Sequence, residues 1–140
     1  MSPTRSSLEQ LLASELDAMQ TYGDACAHLD PRHSRQLAPI YRQHRVIAKT
    51  LRRVLGPTEP TEHDTPWDAL PHRDRFLGLV YGHHGLLALL RRGELENLQL
   101  LAQSLRPSVP RSLRGLVRRR VLPRLRDNLQ TLDDLLKTSA

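Results

Sequence analysis

Residues 86–105 read LLALLRRGELENLQLLAQSL, and the phase of their apolar side chains decides the fold. Leu87, Leu90, Glu94, Leu98, Leu101 and Leu105 recur every three or four positions. That is the period of one helix face, so the spacing predicts an amphipathic helix over 86–105. One member of the stripe is a carboxylate. An ionised carboxylate in a leucine face is costly unless it is paired or ligated. Glu94 is therefore a candidate functional residue.

The rest of the chain supplies three more such patterns. From about Leu8 to Leu29 the stripe is Leu8, Leu11, Leu12, Glu15, Leu16, Met19, Tyr22 and Cys26, with Ser7 and Gln10 placed as a capping box. Asp30-Pro31 ends it. A second helix is expected from about Arg35 to Leu55, with Ser34 as N-cap and Pro39 near the first turn, where a missing N–H costs least. It presents Ile40, Tyr41, His44, Ile47, Ala48, Leu51 and Leu55 on one face. GPTEPTEHDTP, residues 56–66, is a loop. Thr65-Pro66 opens a short helical segment bearing Trp67, interrupted by Pro71. GHHG, residues 82–85, reads as a turn or weak point, since two glycines cost about 2 kcal/mol of helix propensity relative to Ala. A last helix from about Ser112 to Lys137 carries Leu122, Leu125, Leu129, Leu132 and Leu136, and Pro123 predicts a kink or a late start to the regular helix. The expected architecture is all-α: one domain over 1–140, an antiparallel four-helix bundle with an extra short helical segment before the third long helix.

The chain has 140 residues, a net charge of +6 and a single cysteine, so no internal disulfide forms. The N-terminal stretch lacks the continuous apolar run of a signal peptide, and no stretch approaches the ~20 apolar residues that span a bilayer. A soluble cytoplasmic protein without a membrane partner is the expectation. There is no Gly-rich phosphate loop, no supported Ser-His-Asp set and no cysteine-based zinc spacing. A non-enzymatic role is expected, with a second copy or another protein as partner.

Placed on their helix faces, Glu15, Tyr22, Tyr41, His44, Glu94 and Asn128 (or Asp127, if the last helix is rotated) point inward. Bundles that hold two metal ions use one Glu on each of two helices and Glu-x-x-His on each of the other two. Glu15 and Glu94 match the single-Glu helices. On the second helix, Tyr41-x-x-His44 has the His but not the Glu. On the last, Leu125-x-x-Asn128 has neither. Too few anionic oxygens remain for two hard cations. The expected state is a vestigial site with His44 hydrogen-bonded and no cofactor. The alternative is one divalent metal, iron included, on Glu15, His44 and Glu94. His83 and His84 diverge by about 100° if helical and cannot then share an ion; His28, His33, His63 and His72 lie near segment ends and read as surface. The stretch Arg111–Arg126 is the largest local charge, but it lacks an aromatic to stack a base. This argues against nucleic acid and for a solvated face paired with acids such as Asp17, Asp24, Glu96 and Asp133. Anion binding through these arginines is the remaining alternative.

The order of two helices, a Gly-Pro loop, PWDAL, the Arg92-Gly93-Glu94 helix and a Pro-bounded final helix resembles a bacterial family of ferritin-like four-helix bundles without an assigned activity. The resemblance spans nearly the whole chain. It implies a ferritin-like fold and an inward carboxylate at Glu94, while the departures at Tyr41 and on the last helix count against iron chemistry. The role expected of the chain itself is an interaction or stress-related one around a decayed metal centre.

Overall fold

The computed structural model describes residues 3–57, 65–69, 77–103 and 111–138. All secondary structure among them is helical. Helix α1 is Pro3–His28, α2 is Pro31–Leu55, a 3₁₀ turn covers Pro66–Ala69, and α3 is Leu77–Gln103. The last rod is continuous but built in three pieces: α4 (Arg111–Leu116), a π-helical turn (Val117–Val121) and α5 (Leu122–Thr138). None of these helices is long and apolar enough to cross a membrane.

The helix starts differ from expectation for identifiable reasons. Asp30, not Ser34, caps α2: its carboxylate accepts from the His33 N–H at 2.8 Å, and Pro31 occupies the first turn. Pro39 is consequently an interior proline. Ser34 instead donates its hydroxyl to the Cys26 carbonyl at 2.9 Å and ties down the end of α1. Helix α1 already runs from Pro3, so Ser7 lies inside it and does not cap it. Helix α3 extends back to Leu77 across a kink at Gly82, where φ is +67°. The weak point expected at 82–85 is this single glycine, and His83, His84 and Gly85 are helical. Pro123 causes no sharp break. It cannot donate to the Arg119 carbonyl, and its ring crowds that oxygen. The preceding turn widens to π geometry, with the Leu122 N–H donating to the Val117 carbonyl.

Helix α1 packs on α2 and α3, and α5 packs on α3 and α2, so α2 and α3 lie on a diagonal. Neighbouring helices are antiparallel. The diagonal pair is parallel, because His33 meets His83 and His44 meets Glu94 at the same offset in sequence. The end of α2 and the start of α3 therefore lie at opposite ends of the bundle.

Two apolar clusters fill the interior. One contains Tyr22, Leu37, Ile40, Trp67, Leu87, Leu90 and Leu132; the other contains Leu11, Ile47, Leu51, Leu101, Val121 and Leu125. Between them every long helix inserts a buried polar side chain: Glu15, His44, Glu94 with Asn97, and Asn128.

Candidate functional site

The polar layer lies in the middle of the bundle because each contributing residue occupies a core position of its helix. His44 falls between Ile40 and Ile47, and Glu94 between Leu90 and Leu101. His44 and Glu94 are 0 % exposed and Glu15 is 1 % exposed. The three converge, as their phases predict. His44 Nδ1 faces Glu15 Oε2, and His44 Nε2 faces Glu94 Oε1 at 2.5 Å. Tyr22 donates its hydroxyl to Glu94 Oε1 at 2.7 Å. Asn97 donates through Nδ2 to Glu15 Oε1 at 3.1 Å, and Ser14 donates to Asn97 Oδ1 at 2.5 Å.

Trp67 closes one side. Its ring centroid lies 5.8 Å from that of Tyr22 and 5.9 Å from that of His44, both edge-on. The 3₁₀ turn that carries it is anchored to α1 by Thr65, which donates to Asp17 Oδ2 at 2.7 Å. Gly93 makes room for it. A Cβ there would sit 2.6 Å from Trp67 Cε3, closer than real contacts allow.

Ionised carboxylates only accept hydrogen bonds, so a ring flanked by two of them carries a proton on each nitrogen. Burial by itself pushes the His44 pKa down. The charges of Glu94 and Glu15 and their hydrogen bonds outweigh it and raise the value from 6.5 to about 10. Tyr22 is held well above 10 by burial, then by the neighbouring Glu94, and stays neutral. The layer is therefore an imidazolium bridging two carboxylates, with Tyr22 and Asn97 as outer donors.

This arrangement differs from a converging ligand set. The two nitrogens of an imidazole point away from each other, and Glu15 and Glu94 occupy opposite sides of the ring. Neither nitrogen can share one ion with both carboxylates in this geometry. Three buried polar atoms at the site, Glu94 Oε2, Asn128 Nδ2 and Trp67 Nε1, have no hydrogen-bond partner among the described residues.

The other residues expected inward divide. Tyr22 joins the layer, Tyr41 is half-buried against the cluster around Ile40, and Asp127 is exposed while Asn128 is buried. Ser14, Asn97 and Trp67 were not expected in the site. Asn97 had a readable signal, since it lies three residues after Glu94 and shares its face.

Arg111, Arg118, Arg119, Arg120 and Arg126 are exposed, as a solvated face requires, but Asp17, Glu96 and Asp133, expected beside these arginines, have other partners. Asp133 bonds Arg91, Glu96 bonds Arg92 at 3.1 Å, and Asp17 accepts from Thr65. Arg111, Arg114, Arg118 and Arg119 border a shallow depression of about 520 Å³, with no carboxylate partner among the described residues.

No family model, curated protein or solved structure matches the chain.

Proposed function

We propose that the chain is a ferritin-like bundle that acts through its surface as a non-enzymatic interaction protein, its Glu15–His44–Glu94 layer being a metal centre that has lost its ligand set and closed on itself. The parallel run of the diagonal helices α2 and α3 supports the ferritin-like reading, because consecutive helices of a simple up-down bundle are antiparallel. The observation that carries the functional reading is the double engagement of His44. Both of its nitrogens are taken by carboxylates, and its side chain is fully buried. The donor set does not fit two hard cations either: two carboxylates on opposite sides of one ring offer no bridging oxygens. In place of chemistry the layer supplies specificity. Shifting a helix by one turn would strand a buried charge, at a cost of about 3–5 kcal/mol.

The unpartnered Glu94 Oε2 favours a second reading, in which one divalent ion is held by Glu94 and His44 with Glu15 alongside. Elemental analysis separates the two. Protein made without an affinity tag and dialysed against a chelator is expected to retain only substoichiometric iron, zinc or manganese and to remain folded. A full equivalent retained after dialysis, and lost on Glu94→Ala, would replace the first reading by the second.

A further inference from the structure

A second group of metal-binding side chains lies at the end of the bundle, where α1 turns into α2 opposite the kink of α3. Asp30, His33 and His83 each offer one ligand atom, and these atoms all lie within 4.8 Å of one another. His33 Nδ1 is 2.8 Å from Asp30 Oδ1, and His83 Nδ1 is 3.5 Å from Asp30 Oδ2. The two imidazole rings stand 5.3 Å apart, edge to face. Asp30 and His33 come from one corner of the chain and His83 from α3, and each is positioned by a local feature. Asp30 is fixed as the N-cap of α2 through the His33 N–H. The corner itself is held by the Ser34–Cys26 bond. His83 directly follows Gly82, whose left-handed φ re-aims the start of the regular α3 helix toward this corner.

We propose that Asp30, His33 and His83 form a binding site for a divalent transition ion of the zinc type. Both Nδ1 atoms and Asp30 Oδ2 are the ligands, and water fills the remaining position. Two imidazoles and one carboxylate suit zinc and its borderline neighbours, whereas calcium and magnesium require more oxygens. Ligand atoms in a tetrahedral zinc site lie about 3.4 Å apart, so modest side-chain rotation closes the present cluster onto an ion. Asp30 can serve twice. Oδ1 keeps the capping bond to the His33 N–H, which orients the carboxylate, while Oδ2 ligates. His84 is the natural control, because it projects from the same helix about 100° away from His83. The ion would tie the α1–α2 corner to α3 on the bundle's diagonal. It would bind at the partly exposed end and not in the central layer, so dialysis against a chelator removes it.

The test is calorimetric titration of the untagged, chelator-treated protein with zinc chloride, and separately with calcium chloride. One equivalent of zinc is expected to bind, and calcium is not. His83→Ala and His33→Ala should each weaken zinc binding by about tenfold or more, with helical circular dichroism unchanged. His84→Ala should bind as the parent does. NMR should show the His33 and His83 ring resonances shifting first. Equal zinc affinity in the parent and in both His83→Ala and His33→Ala would overturn the proposal. So would zinc binding that survives those changes and is lost on Glu94→Gln, which would move the ion to the central layer.

Discussion

Raising the pH from 7 to 9 should weaken the fold markedly, and His44 is the reason. Its folded pKa is raised from 6.5 to about 10. The stability it contributes is therefore fully present below about pH 6.5 and is lost as the pH rises through about 10. Between those limits the unfolded chain binds one proton fewer than the folded chain. Unfolding free energy then falls by about 1.4 kcal/mol per pH unit, or about 2–3 kcal/mol from pH 7 to pH 9. That is a large share of the ~5–15 kcal/mol that holds a domain together. Cys26, whose thiol is pushed up by burial, and Tyr22 act in the same direction but only above about pH 9 and pH 10. Urea denaturation followed by circular dichroism at 222 nm reads the effect. With a slope of about 2 kcal/mol per molar urea, the midpoint should drop by about 1 M between the two pH values. His44→Gln should flatten this dependence while itself costing about 3–5 kcal/mol, because it strands two buried carboxylates. Equal wild-type midpoints at pH 7 and pH 9 would refute the imidazolium bridge.

Gly93→Ala should cost about 1–3 kcal/mol by driving a methyl into Trp67, and the fluorescence of this single tryptophan should shift to the red. Leu101→Ala and Leu132→Ala, one in each apolar cluster, should each lower stability by about 2–5 kcal/mol in denaturant titrations; unchanged midpoints would mean that the core is misplaced. The arginines around the surface depression form a short track, so affinity for an unspecific DNA duplex should stay weaker than about 1 μM at physiological salt. Tighter binding, with a salt dependence that flattens in Arg114→Ala and Arg118→Ala, would show a nucleic-acid surface instead.

Glu15, His44 and Glu94 are legible in the central layer because helix phase is a simple geometric signal. A Glu or His that keeps step with leucines must point inward. What the layer does was less legible. Phase says that His44 meets two carboxylates, but not that they take opposite nitrogens, which depends on the diagonal placement of α2 and α3. Trp67 was out of reach for a different reason. It enters from a short 3₁₀ turn with no periodicity of its own, and only the fit over Gly93 explains its place. Helix starts are ambiguous in the sequence where two caps compete. Asp30 and Ser34 are both good N-caps, and the sequence alone does not reveal that the Ser34 hydroxyl is drawn to the end of α1. His33 read as a surface histidine because its partner His83 is 50 positions away in sequence, across the kink of α3.

The protonation of His44 in the folded protein tests the account's central claim most directly. A ¹⁵N–¹H correlation spectrum of the imidazole side chains at pH 8.5 is expected to show His44 with protons on both ring nitrogens, protected from solvent exchange and unchanged by added chelator. A His44 ring with one bare nitrogen at that pH, or one whose signals change when a chelator is added, would contradict it.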